Sequence, residues 1–203
     1  MASVPTLSFA PAFGSELYGR AEELALIASA LDDAPECGTT LVLRGEPGNG
    51  KSRLLDRARE LALGRGMRVL ATAGVEAESD LPYSALHRLV RPLLADLGRL
   101  PAPQQSMLLS AFGMAEHDGG DLFLVALGTL GLLANEAAQR PLVTVDDMHW
   151  LDAASRDAIA FVGRRLDSDP IVLLGAIREG YAAQLEVPEH PLPASSLRPR
   201  PPC

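Results

Sequence analysis

Leu41-Val-Leu-Arg-Gly-Glu-Pro-Gly-Asn-Gly-Lys-Ser-Arg-Leu-Leu55 joins two kinds of sequence. Its start continues an apolar, β-forming run that begins at Thr39 and ends at Gly45. Its end opens a stretch in which Leu54, Leu55, Ala58, Leu61 and Ala62 recur at helical spacing, closing near Gly64 to Gly66. Between them, Gly45, Glu46, Pro47, Gly48, Asn49, Gly50, Lys51 and Ser52 fit G-x-x-x-x-G-K-[ST] at every fixed position. Glycines let such a loop turn its backbone N–H groups toward phosphates, and the helix that follows adds its positive end. Lys51 is expected to reach the β- and γ-phosphates and the Ser52 hydroxyl to ligate magnesium, with Gly45 to Arg53 as the nucleotide-binding run. The competing reading is a glycine-rich turn that matches by accident.

Composition adds one pointer. The eighteen basic residues comprise seventeen arginines and a single lysine, Lys51. A compact ammonium on a flexible stem fits inside a loop wrapped around phosphates, where a planar guanidinium is bulkier and differently directed.

The order of elements implies an α/β fold. Working outward from the loop, a helix is expected from Arg20 to Leu31 and a strand from Met67 to Thr72. Tyr83 to Leu97 is helical in pattern, with Pro92 kinking it or starting a new segment. Gln104 to Phe112 reads as a short helix and Asp121 to Gln139 as a longer, buried one. A strand over Pro141 to Val145, a helix over Ala153 to Leu166 and a strand over Ile171 to Ile177 follow. Strands alternating with helices indicate a parallel sheet with helices on its faces. Residues 1–16 read as an irregular lead-in, 17–187 as one P-loop ATP-binding domain, and 188–203, six of them proline, as a disordered tail. A short strand near Gln184 to Val187 is expected just before that tail.

A hydrophobic fraction of 47% with 22% charge is the mix of a soluble globular domain. The net charge of −8 argues against broad nucleic-acid or membrane-surface binding by this chain. Cys37 and Cys203 are too few for a disulfide framework and lack metal spacing, as do the four histidines. The longest apolar run, Leu122 to Ala134, is too short to span a bilayer, and a cytoplasmic location is expected.

Leu142-Val-Thr-Val-Asp-Asp147 supplies the second half of a site. An apolar strand ending in acids places carboxylates at the carboxyl edge of a parallel sheet, where ligands bind. Asp146 is expected to hold magnesium, and Asp147 to orient an attacking water. Alternatively both acids cap the following helix.

VTVDDMHWLDAAS, Val143 to Ser155, resembles the Walker B region of the STAND class of AAA-like signalling ATPases, and more narrowly the large ATP-binding regulators of the LuxR family. LYGRAEEL, Leu17 to Leu24, resembles the signature that opens these domains and lines their adenine pocket, which implies nucleotide contacts for Tyr18, Gly19 and Arg20. DLPYSALHRLVRPLL, Asp80 to Leu94, resembles the segment after their second strand, and IVLLGAIRE, Ile171 to Glu179, their sensor-1 strand. The resemblance implies a P-loop NTPase three-layer sandwich of the additional-strand, AAA-like type with strand order 5-1-4-3-2. It also implies a switch run by ATP or ADP with Mg2+, with self-association on ATP binding. In such regulators a helical-repeat sensor and a C-terminal DNA-binding helix-turn-helix follow, and neither lies within this sequence. Hydrolysis is expected to be slow, because a lid must complete the site. A free-standing P-loop kinase and a fragment that has lost binding are the alternatives.

Arg178 is placed at a strand end, to read the γ-phosphate catalytically or to pair with an acid. His149 and Trp150 either approach the γ-phosphate or form a packed pair. Arg20 pairs with Glu23 or contacts nucleotide. Arg164 and Arg165 complement a helix dipole or act as a finger on a neighbour's ATP.

Overall fold

The computed structural model describes residues 19–115, 121–181 and 189–192. In chain order it contains α1 (Ala21–Asp33), β1 (Thr39–Gly45), α2 (Lys51–Gly64), β2 (Val69–Ala73), α3 (Ser84–Val90), α4 (Ala102–Ala111), α5 (Leu122–Ala134), β3 (Leu142–Asp146), α6 (Ala153–Gly163), β4 (Val172–Arg178) and β5 (Glu189–Pro191). The strands form one parallel sheet in the order β2-β3-β4-β1-β5. Counted from the other edge this is 5-1-4-3-2, with β3 and β4 inserted between the phosphate-loop strand β1 and β2. The chain therefore has the expected α/β P-loop architecture, and all four long strands end on the same edge.

The four long strands are largely buried and predominantly apolar, as parallel strands covered by helices must be. Alternation still sorts the side chains. Leu43, Leu142, Val172, Leu174 and Ala176 pack with Ile27, Leu31, Leu54, Leu55 and Ala58 of α1 and α2. Val42, Val143, Val145, Leu173 and Ile177 pack with α3, α5 and α6 through Leu86, Val125, Leu132 and Ile159. The result is a three-layer sandwich. Gly175 lies on the second face, where a Cβ would come within 2.4 Å of Met148 Sδ, so glycine lets the turn after β3 close over β4.

Several helices stop earlier than their apolar patterns. The Tyr83–Leu97 stretch breaks where Pro92 falls: α3 ends at Val90 and a 3₁₀ segment runs from Arg91 to Arg99. The helix expected over Asp121 to Gln139 ends at Ala134, and Ala137–Gln139 is a separate 3₁₀ turn closed by Arg140 at φ 45°. The helix expected to Leu166 ends at Gly163, before a 3₁₀ turn at Leu166–Ser168. Nor is α5 buried all round: Leu122 and Phe123 are exposed at its start, with Phe123 edge-on against Phe161 of α6.

The segment after Pro188 also needs correction. Glu189–Pro191, assigned from sequence to a disordered tail, pairs in parallel with Val42–Arg44 of β1, and Leu192 N donates to Arg44 O at 2.6 Å. Proline is tolerated because β5 is an edge strand, where a missing N–H costs no ladder bond on the outer side. The strand expected at Gln184 to Val187 lies outside the described residues, as does Tyr18.

Candidate functional site

The loop from Gly45 to Ser52 connects β1 to α2, as the spacing requires. Gly48 and Gly50 adopt φ 83° and 80°, a left-handed geometry that only glycine takes without strain. Gly50 is the cap of α2, so the amides that follow, at Lys51 and Ser52, begin a helix and have no carbonyl in the preceding turn to bond. The Lys51 side chain folds back over the loop. Its Nζ donates to Gly45 O at 2.7 Å and Glu46 O at 2.9 Å. Burial pulls the ammonium's pKa below its usual value, while Asp147, Asp146 and Glu46 oppose the shift and Arg178 adds to it. The lysine is thus within electrostatic reach of both acids at the end of β3 and of the arginine at the end of β4.

Those groups reach it because β1, β3 and β4 are adjacent and end together. Gly45 is in register with Arg178, and the Gly45 carbonyl accepts the Glu179 amide at 3.2 Å as well as the Lys51 ammonium. Asp146 ends β3, and its Oδ1 accepts the Asp147 amide at 2.9 Å. Asp147 itself sits at φ 44°, ψ 46°, a left-handed turn that leaves its carboxylate exposed. Gly74 makes room for this turn. A Cβ there would fall 2.3 Å from Asp147 O and 2.6 Å from the Trp150 carbonyl carbon.

His149 packs its ring 5.1 Å from that of Trp150 and 4.9 Å from that of Tyr181. Its Nδ1 is buried with no protein partner. Burial lowers its pKa; the carboxylate of Asp147 works against that, and Arg178 and Lys51 reinforce it. The histidine therefore shares the field of the site while its ring faces belong to an aromatic cluster.

Arg20 forms the expected pair with Glu23 and also reaches the phosphate loop. Its Nη1 pairs with Glu23 at 2.8 Å, both side chains 5% exposed, and its Nη2 donates to the carbonyl of Asn49, inside the phosphate loop, at 3.0 Å. Gly19 precedes it at φ 76°. Arg165 stacks on Phe161, 3.6 Å from the ring centroid, and donates to the Phe161 carbonyl near the end of α6, the dipole-complementing role. Ser52 and Arg53 are exposed on the first turn of α2.

Sequence reasoning missed Asp152 and Ser155. Asp152, 2% exposed, caps α6 by accepting the Ser155 amide at 2.8 Å. The same carboxylate accepts the Tyr83 amide at 2.8 Å and the Ala85 amide at 3.4 Å, at the head of α3. Ser155 Oγ accepts the Leu86 amide at 2.9 Å. An aspartate just before an apolar helix signals a cap; nothing local signals the second helix.

The donor set suits magnesium with a polyphosphate. Ser52 and Asp146 are hard oxygen donors, few in number, and magnesium takes one or two protein oxygens and completes its shell with water and phosphate. No cluster of three or more His, Cys, Asp or Glu suited to a metal occurs among the described residues. Glycines at the turns, a buried ammonium and an open helix start fit the phosphates themselves.

These features define a P-loop NTPase fold with its phosphate loop and the acids at the end of β3 assembled at one sheet edge. Residues 16–174 match the family described as AAA ATPase domain, and the chain belongs to that family. Membership carries nucleotide binding with it, usually with Mg2+. Among solved structures, the chain is similar to Cdc6p from Pyrobaculum aerophilum, with TM-score 0.54 and 15% identity over 88% of this chain and 44% of that one. It is similar also to the ORC2 protein of Aeropyrum pernix, solved as ADPNP-ADP complexes, with TM-score 0.50 and 19% identity over 87% of this chain and 48% of that one. A curated relative, an uncharacterized protein of Rhizobium meliloti (strain 1021), is 26% identical over 84% of this chain. The chain spans 19% of that relative's length. No helix among the described residues is long and apolar enough to cross a membrane.

Proposed function

We propose that the chain is the ATP- and ADP-binding switch module of a LuxR-type transcriptional regulator of the STAND class. One observation carries the nucleotide part: Gly45 of the phosphate loop, whose carbonyl Lys51 holds at 2.7 Å, is in register with Arg178 at the end of β4, and neighbouring β3 ends on the same edge at Asp146. Gly45 to Arg53 bind the phosphates; the resemblance of the LYGRAEEL opening adds Tyr18 and Gly19 as nucleotide contacts, with Arg20 acting beside the loop at Asn49. Ser52 and Asp146 hold magnesium, which when bound neutralises phosphate charge. Asp147 orients water and Arg178 stabilises charge on the γ-phosphate. The regulator part rests on the DDMHWLDAAS and DLPYSALHRLVRPLL strings. The Asp152 and Ser155 contacts to Tyr83 and Leu86 support reading those strings as one device, since they join the two segments physically. Sensor and DNA-binding regions would lie outside this sequence, the protein would work in the cytoplasm, and ATP would promote self-association.

Calorimetric titration of ATP and ADP with magnesium, beside Lys51→Ala, tests the reading. Binding that the substitution abolishes is expected, with turnover below about one per second, the low end of ordinary enzymes. Absence of binding by the folded chain overturns it, and faster steady turnover favours a free-standing kinase or ATPase.

A further inference from the structure

We infer that Arg20 is a positioning residue for the phosphate loop, acting through the Asn49–Gly50 peptide and not through contact with the nucleotide. The inference rests on the nucleotide-binding reading of this site. Arg20 Nη2 donates to Asn49 O at 3.0 Å across 29 residues. Its Nη1 is held at 2.8 Å by Glu23, and both partners are 4% exposed, so the guanidinium is fixed from behind by a buried carboxylate.

The peptide geometry supplies the consequence. No peptide bond among the described residues is cis. In a planar trans peptide the carbonyl of one residue and the N–H of the next point in opposite directions. Anchoring Asn49 O on Arg20 therefore turns the Gly50 N–H away from Arg20. That amide adjoins the Lys51 and Ser52 amides at the head of α2, the group that faces an anion.

The loop needs such an anchor. Gly48 and Gly50, on either side of Asn49, are both left-handed, and glycine crosses between positive and negative φ at little cost. With no external hold, the peptide can flip and present a carbonyl oxygen where an N–H should be. One donor is lost and one negative dipole is gained at the phosphates. The other pinned carbonyls of the loop, Gly45 O and Glu46 O, are held by Lys51. Asn49 O is held from outside by the residue that caps α1, so the start of the first described helix sets the phosphate grip.

Two probes separate this role from its rivals: ATP, and inorganic tripolyphosphate, which has no base or sugar, each titrated with magnesium. Wild-type chain must bind ATP first; failure there removes the nucleotide reading itself. In Arg20→Gln, both ligands should weaken by the same factor, about tenfold or more, the scale of one lost charge-assisted contact and a misdirected dipole. Removing Arg20 alone strands the buried Glu23 carboxylate and risks unfolding. A second variant, Arg20→Met with Glu23→Leu, removes both charges, and its folding is checked by thermal denaturation. Equal weakening in that folded double variant supports the inference. Arg20→Lys, which keeps charge without the planar fork, should recover only part of the affinity. Weakening of ATP with tripolyphosphate unchanged would mean that Arg20 touches the nucleoside, and overturns the inference. Unchanged affinity for both ligands in a folded variant overturns it too.

Discussion

The Asp152 carboxylate accepts the Tyr83 backbone amide at 2.8 Å, across 69 residues, while capping its own helix at Ser155. One buried side chain thus serves the N-termini of α3 and α6. Asp152→Ala leaves buried amides at both without an acceptor. Stability should fall by about 2–4 kcal/mol, a lost cap plus unsatisfied buried donors. Urea denaturation measures it, and a midpoint equal to wild type would show that water replaces the carboxylate at no cost.

Gly74 and Gly64 make a matched pair. A Cβ at Gly74 would meet three backbone atoms of the turn after β3 between 2.3 and 2.7 Å, whereas one at Gly64 meets nothing within 4 Å. Backbone cannot step aside as a flexible side chain can. Gly74→Ala should displace the Asp147 turn, reduce any ATP turnover and destabilise by about 1–3 kcal/mol, the range for overpacking. Gly64→Ala should be neutral or stabilise by up to about 1 kcal/mol, through the unfolded chain's lost freedom. Thermal denaturation of both variants gives the comparison directly.

His149 makes stability depend on pH in a stated direction. Burial holds its folded pKa below the ordinary 6.5. Above 6.5 both folded and unfolded chains carry it neutral, and its contribution is fully present. As pH falls below 6.5 the unfolded chain takes up the proton first, so stability is lost until the folded value is passed. Denaturation midpoints should drop more between pH 7.5 and 5.5 for wild type than for His149→Gln. Equal slopes would mean that the ring titrates freely.

Asp147 and Lys51 should separate binding from chemistry. Lys51→Ala should abolish binding of ATP and ADP alike. Asp147→Asn should bind ATP with little change yet lose whatever slow turnover the wild type shows, since the role proposed for that carboxylate is to orient water. Calorimetry and phosphate release on the same preparations check both. Loss of binding in Asp147→Asn would move that residue from water to the bound nucleotide.

Much of this arrangement is written in contiguous residues. The phosphate loop needs glycines at fixed places in an eight-residue run, and its strand and helix flanks show in the apolar spacing on either side. The acids ending β3 are legible for the same reason: an apolar run followed at once by carboxylates describes a buried strand reaching a sheet edge. Local steric rules and side-chain period operate within a few residues, so the sequence by itself determined the four long strands and the main helices, their alternation, and the identities of Lys51, Ser52, Asp146 and Asp147 as a candidate set. What it left undetermined is what chain closure over long separations decides. The pairing of Gly45 with Arg178 depends on β4 adding beside β1. Arg20 finds Asn49, and Asp152 finds Tyr83, only after the sheet has brought helices from distant parts of the chain together. Glu189–Pro191 has poor strand propensity and becomes a strand because β1 offers it an open edge. In each case the partner's position, and not the residue's own preference, sets the outcome, since the desolvation cost of a buried polar group is offset only where the fold supplies a hydrogen-bonding partner.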